Sequence, residues 1–139
     1  MHERVLGFDF GTKRIGVAVG NRLTAQASPV GALAAENGVP DWTSLTKILQ
    51  EWNPDALLVG IPLNIDGSEQ AVTKAARKFA NRLADRYSLP IFHVDERLTT
   101  KEARQRLFDA GGYKKLKSTQ IDSIAAQIIV EQWLMSGER

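Results

Sequence analysis

The chain has 139 residues, of which 43% are hydrophobic and 24% are charged, and these values are typical of one globular domain, residues 1–139. It contains no cysteine and only two histidines, which excludes disulfides, thiolate zinc sites and cysteine nucleophiles and argues against a histidine-based metal site. The formal net charge is +2. No segment reaches the length of a membrane span, and the N-terminus lacks the apolar core of a signal peptide, so we expect a cytoplasmic protein with no membrane partner.

The first predicted element is a hairpin made of two apolar runs that flank a turn at residues 11–14. Side-chain alternation places Asp9 on the same face of the first strand as Gly7, among hydrophobic neighbours. A carboxylate there needs a partner, because removing it from water is costly. A bound cation and the amides of the turn both qualify, and the residues alone leave the two open. Gly7 and Gly16 leave room for a close approach to the backbone.

Five further elements are predicted before residue 97. Residues 23–30 form a weak third strand, and residues 31–40 form a loop. Asp41 is a good N-cap for a helix that stops at Asn53. The remaining elements are a continuous apolar strand at 56–61, a helix that Ser68 caps and whose buried stripe runs from Val72 to Tyr87, and a buried strand at 90–96.

The rest of the chain is predicted to be helical on both sides of a polar segment at 113–117. Thr99 and Glu102 form a capping-box pattern, so a helix covers about 100–108 and ends before two glycines. Thr119 caps the last helix, and the apolar face of that helix includes Ile121, Ala125, Ile128 and Ile129.

This order of elements predicts an α/β fold with a mixed five-stranded sheet. Three antiparallel strands come first, two parallel strands follow through helical crossovers, and helices cover both faces. Sites on parallel sheets gather at the carboxyl ends of the strands. Asp9 and Glu96 lie at such ends, and Asp122, in the first turn of the last helix, can point at the sheet from above.

These three acids could form a metal site, since Mg²⁺ and Mn²⁺ prefer oxygen ligands. Two such ions, about 3.5–4 Å apart, promote phosphodiester hydrolysis without histidine or cysteine. Each acid also has a structural explanation: Asp122 can complete a capping box, and Asp95 and Glu96 can pair with Arg97 or a lysine. The compatible positions of all three favour the metal site.

Residues 97–117 carry a local excess of positive charge, with seven basic residues against two acids. Such a run suggests a polyanionic partner, although a solvated helix face is the commoner reason for it. The basic residues are Arg97, Lys101, Arg104, Arg106, Lys114, Lys115 and Lys117.

The sequence also contains four strings that resemble, in order, the signature blocks of the bacterial YqgF family, also called RuvX: LGFDFGTKRIGVAVG, LLVGIPLNIDGSE, VDERLTT and QIDSIAA. The resemblance covers nearly the whole chain. It implies a ribonuclease-H-like fold similar to that of Holliday-junction resolvases. It also implies a nuclease that processes the 5′ end of pre-16S ribosomal RNA in ribosome biogenesis, with Mg²⁺ or Mn²⁺ bound by the catalytic acids Asp9, Glu96 and Asp122.

The substrate-binding residues expected beside these acids lie in the hairpin turn, in the loop after the fourth strand and in the basic segment. They are Lys13, Arg14, Asn64, Asp66, Arg97, Lys114, Lys115 and Lys117. The chain departs from the resolvases proper at two positions: Gly60-Ile61-Pro62 replaces an acid at the end of the fourth strand, and Ala125 replaces a second acid on the last helix.

Three other functions stay open from the sequence. One is a Holliday-junction resolvase acting on DNA, and another is a non-catalytic RNA-binding module in ribosome assembly. The third is ATP hydrolysis, because Asp9-x-Gly11-Thr12 is similar to a phosphate motif of actin-like ATPases, but one domain cannot enclose ATP as their two domains do. The expected partners are structured or single-stranded RNA, a DNA junction and a ribosomal precursor particle, with the chain acting as a monomer or a homodimer.

Overall fold

The computed structural model describes residues 3–98, 105, 109 and 118–136. Its strands form one mixed sheet in the order β4-β3-β2-β1-β5-β6, in which β1 to β4 are antiparallel neighbours and β5 and β6 run parallel to β1. The elements are β1 (Arg4–Asp9), β2 (Arg14–Asn21), β3 (Gln26–Glu36), β4 (Val39–Pro40), α1 (Trp42–Trp52), β5 (Ala56–Ile61), α2 (Ala71–Tyr87), β6 (Ile91–Asp95) and α3 (Ser118–Ser136).

The prediction of five strands is wrong, because the sheet has six. The third strand continues to Glu36, and the segment predicted as a loop turns back at Asn37-Gly38 to form β4. Both turn residues have positive φ, 52° and 81°, as a two-residue hairpin turn requires. The Asn-Gly dipeptide was the signal for this hairpin.

One face of the sheet is covered by α1 and α2. Large side chains of β1, β2 and β5 that point to this face pack against the buried residues of the two helices. The core there contains Leu6, Phe8, Phe10, Ile15, Val17, Leu45, Leu49, Leu57, Val59, Ala76, Phe79 and Leu83. The predicted amphipathic stripes of α1 and α2 therefore form the main core.

The other face of the sheet is covered by α3 and carries smaller residues. Four glycines point at this helix, and a Cβ atom on any of them would meet an atom of α3 within 2.5 Å. The helix consequently lies close to the sheet. These glycines are Gly7, Gly16, Gly20 and Gly60, so the space predicted at Gly7 and Gly16 is filled by a crossing helix.

Helix caps were predicted with mixed success. The carboxylate of Asp41 accepts a hydrogen bond from the Thr43 amide, which confirms it as the N-cap of α1. Ser68 does not cap α2; the cap is Gln70, which forms a capping box with Thr73. Ser68 is not available for that role because its hydroxyl is bound within the preceding loop.

The last helix begins at Ser118, two residues earlier than a cap at Thr119 predicts, so Thr119 lies inside it. Of the residues predicted on its apolar face, Ile128 and Ile129 are buried, whereas Ile121 and Ala125 are only half-buried. The buried side also includes Ala126, Val130 and Trp133. Since α3 is apolar on most sides, its sequence alone does not specify which side packs on the sheet. Of the helix predicted at 100–108, only Gln105 is described, and it is helical; the rest, with 110–117, lies outside the described residues. No described helix is long and apolar enough to cross a membrane.

Candidate functional site

Asp9 is the last residue of β1 and lies at the edge of the sheet where β1, β5 and β6 end, which we call the site edge. Its side chain is half-buried and points to the α3 face, because its cross-strand neighbour Gly16 points at α3. One residue beyond the pair Phe8–Val59, the parallel register places Asp9 beside Gly60. Asp9 thus lies between two glycines on neighbouring strands.

Asp122 lies over the first of these glycines. A Cβ atom on Gly16 would overlap the Asp122 carbonyl oxygen and would be 3.2 Å from the Asp122 Cβ. The small size of Gly16 therefore brings the backbone of α3 onto β2, next to the strand that carries Asp9. Asp122 is the fifth residue of α3, two residues further into the helix than predicted from the sequence.

Glu96 lies over the second glycine. It follows β6 directly, and its Cγ and Cδ atoms are each 3.2 Å from the position of a Gly60 Cβ. The strand beneath Glu96 ends in Gly60-Ile61 and has no acid there. In this chain the acid of the next strand reaches over that strand end, into space that a side chain at residue 60 would fill.

The three predicted acids are therefore on one face at one edge of the sheet. Neighbouring strands are about 4.8 Å apart, so Gly16, Asp9 and Gly60 together span roughly 10 Å. Within the described residues, however, no three acidic or histidine side chains are close enough to hold a metal ion. The predicted metal-binding set thus stays a prediction.

A cation of the chain itself neutralises one of these acids. Arg14 donates a hydrogen bond from Nε to Oδ2 of Asp122 at 2.7 Å, with about half of the arginine side chain exposed. Only one oxygen of the carboxylate takes part in this bond. Arg14 begins β2 and points to the α3 face like Gly16, two residues later. The salt bridge reduces the repulsion expected when several carboxylates share one edge.

The loop between β5 and α2 is held in shape by its own polar groups. Asn64 donates from Nδ2 to the Ser68 hydroxyl at 2.9 Å, and Oδ1 of Asp66 accepts from both the amide and the hydroxyl of Ser68. The Ser68 hydroxyl, followed by its amide, lowers the pKa of Asp66. Two predicted substrate residues therefore also build a turn at the site edge.

Arg97 links the end of β6 to this loop. Its guanidinium donates to both oxygens of Asp95, with the shortest bond at 2.7 Å, and to the carbonyl of Ile65 at 3.2 Å. The hydrogen bonds from Arg97 lower the pKa of Asp95, and Asp95 in turn raises the pKa of Arg97. The structural explanation offered for Asp95 is thus confirmed, and the predicted substrate residue Arg97 also anchors the loop.

The remaining predicted substrate residues differ in what the structure describes. Lys13 is exposed in the turn before β2, where its carbonyl accepts a hydrogen bond from Ala35. The other three lie outside the described residues: Lys114, Lys115 and Lys117. The position of Glu96 over Gly60 was not predicted from the sequence. The available signal was the glycine near the end of a buried strand, just before Ile61-Pro62, since a residue without a side chain leaves room for a neighbouring one.

Comparisons with known proteins agree with this architecture. The RuvX family, described as Holliday junction resolvase, matches residues 3–136. A protein of Legionella pneumophila, strain Philadelphia 1, is 56% identical over 133 residues, which cover 96% of each chain. A protein of Salmonella paratyphi B is 50% identical over 137 residues, which cover 99% of each chain. Both carry the name "Putative pre-16S rRNA nuclease".

Solved structures with the same fold come from resolvases. The structure of T. thermophilus RuvC with a Holliday junction substrate matches with a TM-score of 0.60 and 16% identity, covering 98% of this chain and 97% of that chain. The fowlpox virus resolvase complex with Holliday junction DNA matches with a TM-score of 0.56 and 14% identity, covering 98% and 99%. The predicted ribonuclease-H-like fold is thereby confirmed. Because the RuvX family matches nearly the whole length of this chain, the chain belongs to the RuvX family.

Proposed function

We propose that this chain is a divalent-metal-dependent nuclease that hydrolyses RNA phosphodiesters and processes the 5′ end of pre-16S ribosomal RNA. The observation that carries the proposal is that Asp9, Glu96 and Asp122 lie on one face of the sheet at the site edge. Asp122 lies over Gly16 and Glu96 lies over Gly60, and these two glycines flank Asp9 on the neighbouring strands. Curated relatives at 50–56% identity bear the name of a pre-16S rRNA nuclease, which supports the choice of RNA.

The donor set at the site edge fits Mg²⁺ or Mn²⁺. All three side chains offer carboxylate oxygens, the ligands that hard divalent cations prefer. Gly16 and Gly60, which have no Cβ atoms, let Asp122 and Glu96 approach the strands on either side of Asp9. Asp9, Glu96 and Asp122 would hold the metal, which when bound activates a water and stabilises the leaving oxygen in phosphodiester hydrolysis.

The chain's own groups position the substrate and balance the charge. Arg14 neutralises Asp122 through its Nε, and its half-exposed guanidinium has further N–H groups that could donate to a phosphate of the substrate. Arg97 keeps the loop at 62–69 against β6 through Asp95 and the Ile65 carbonyl. Lys13 and the basic segment with Lys114, Lys115 and Lys117 supply further positive charge for backbone contacts, which position RNA without selecting its sequence.

The test incubates the pure protein with precursor 16S rRNA fragments, unstructured single-stranded RNA and a four-way DNA junction, each with Mn²⁺ and with chelator. Asp9→Asn and Asp122→Asn should lower metal-dependent RNA cleavage by about 10²-fold or more. Glu51→Gln is the matched control, because Glu51 is an exposed acid on α1, which covers the opposite face of the sheet.

Each outcome of this experiment favours one function. RNA cleavage that both site variants lose and the control keeps supports the proposal. Cleavage of the junction alone would assign the chain to DNA resolution, the activity in the description of its family. Binding of RNA without cleavage of any substrate would favour a non-catalytic role in ribosome assembly.

A further inference from the structure

Helix α2 carries a row of positive charges that the candidate site does not use. Its 17 residues contain five basic side chains and one acid, Asp85, although the whole chain has a net charge of only +2. Four of the basic residues recur at intervals of four, a spacing that places neighbours on the same side of a helix. This basic row consists of Lys74, Lys78, Arg82 and Arg86.

The buried residues of α2 occupy the other side of the helix, so Lys74, Lys78 and Arg86 are exposed and Arg82 is half-buried. Arg77, beside the row, is paired with Glu69 at 2.7 Å, and Arg86 lies over the ring of Trp42 at 4.2 Å. Among the described residues, no acid forms an ion pair with the other three members, Lys74, Lys78 and Arg82.

Helix stability does not explain this arrangement. Like charges four residues apart destabilise a helix by a few tenths of a kcal/mol per pair, and the row contains three such pairs. The side chains that stabilise α2 are on its opposite side, with Phe79 and Leu83 fully buried. Binding of a polyanion would convert the repulsion along the row into attraction.

The length of the row favours an extended anion over a small one. A helix rises 1.5 Å per residue, so the Cα atoms from Lys74 to Arg86 span about 18 Å. That distance matches several successive phosphates of a nucleic acid strand and exceeds any single phosphate or carboxylate group. A phosphate backbone is therefore the ligand whose charge distribution fits the row.

The position of α2 connects the row to the candidate site. The loop at 62–69 leads from the end of β5, at the site edge, to the start of α2, so Lys74 is the member nearest that edge. The helix then returns along the α1/α2 face, and Arg86 is the member farthest from the edge. A strand that leaves the acids across this loop meets Lys74 first and can follow the helix.

We propose that the basic row of α2 binds the backbone of the RNA segment that flanks the cleaved phosphodiester; this inference rests on the proposed RNA-directed nuclease function. The row would extend the interface from the site edge around the sheet to its opposite face. It contacts phosphates and reads no bases, so it should increase affinity for long RNA of any sequence.

The test measures RNA binding in chelator, where no cleavage occurs, as a function of salt concentration. The triple variant Lys74→Gln/Lys78→Gln/Arg82→Gln should reduce the log–log salt slope by about 0.7 for each lost phosphate contact. The variant should melt at or above the wild-type temperature, since repulsion is removed.

The matched control compares Lys78→Gln with Lys47→Gln, the same substitution at an exposed lysine of α1. Only Lys78→Gln should lower the salt slope. An unchanged slope in the triple variant, or an equal change in both single variants, overturns the inference, as does a wild-type protein that binds no RNA. If the wild type binds long RNA through the row but cleaves no substrate, the nuclease proposal fails and the row stands.

Discussion

The two faces of the sheet are built in different ways. The α1/α2 face is filled by large aliphatic and aromatic side chains, and Phe79 of α2 contacts both Phe8 and Phe10 of the hairpin segment, with ring centroids 5.7 and 5.5 Å apart. The α3 face carries four glycines where the helix crosses. Volume fills the first face, whereas close approach of backbones characterises the second.

This difference separates stability from chemistry within one small sheet. Burial of large apolar side chains supplies most of the free energy of folding. The large side chains can lie on the α1/α2 face because the three acids are on the other face. The glycines of the α3 face bury less apolar area, but they let α3 bring Asp122 onto β2 beside Asp9. Substitutions on the two faces should therefore differ in whether stability or activity changes more.

The largest loss of stability is expected on the α1/α2 face. Phe79→Ala removes a fully buried ring that contacts two other rings, and we expect a loss of about 3–5 kcal/mol in the free energy of unfolding. Denaturant unfolding measures this loss. The fraction that stays folded at low temperature should keep its nuclease activity, because Phe79 faces away from the acids; a folded but inactive variant would contradict the separation of the faces.

A smaller loss of stability with a larger loss of activity is expected on the α3 face. Gly16→Ala places a Cβ atom against the backbone carbonyl of Asp122, which no side-chain rotation can relieve. The variant should lose about 1–3 kcal/mol through overpacking. It should also lose most of its cleavage activity while folded, because α3 must move away from β2.

Gly7→Ala is the matched control for this substitution. The new Cβ atom would meet a side-chain methyl of Val130 instead of the backbone of Asp122. We expect a smaller loss of stability and nearly normal activity per folded molecule. Equal effects of the two substitutions on activity would show that the position of Asp122 is not what Gly16 protects.

Arg14→Gln should change stability by less than about 1 kcal/mol, because the salt bridge to Asp122 is partly exposed. If Asp122 binds metal, removing its competing cation should tighten Mn²⁺ binding in the absence of RNA, by about fivefold or less given that energy. Calorimetric titration measures the affinity. Lys13→Gln is the control, because Lys13 is the exposed residue before Arg14, carries the same charge and takes no part in this salt bridge. An equal gain in Mn²⁺ affinity in both variants would indicate an effect of net charge alone.

Periodicity predicted most of the fold because the α1/α2 face is built from it. The stripes of α1 and α2 each specify one buried side, and the continuous apolar run of β5 specifies a strand that is buried on both faces; all three were confirmed. The sixth strand was missed because β4 has only two residues, and its evidence lies in the Asn37-Gly38 turn. The packing side of α3 could not be predicted from a helix that is apolar on most sides.

The candidate site was predictable at the level of strand ends. Asp9 and Glu96 were placed at the correct edge because each ends an apolar strand. The sequence does not show which glycine each acid approaches, because this depends on the order of the strands in the sheet and on where α3 crosses it. The salt bridge between Arg14 and Asp122 joins residues 108 positions apart, so local spacing could not indicate it.

The smallest effect is expected at Asp41, which caps α1 on the face without the acids. Its carboxylate accepts hydrogen bonds from the Ser44 hydroxyl and the Thr43 amide, and these bonds, that of the Ser44 hydroxyl first, lower the pKa of Asp41. The cap therefore stabilises the fold fully above the ordinary pKa of about 3.9, and this stabilisation is lost as the pH falls through the lower pKa of the folded state.

Asp41→Ala should lower the Tm slightly at pH 7, and the difference from wild type should narrow below about pH 4. Asp41→Asn should keep part of the stability, because asparagine also caps helices well. A difference in Tm that stays constant down to about pH 2 would show that the charge of Asp41 is not what stabilises the helix, and altered cleavage activity in either variant would show that the two faces are not independent.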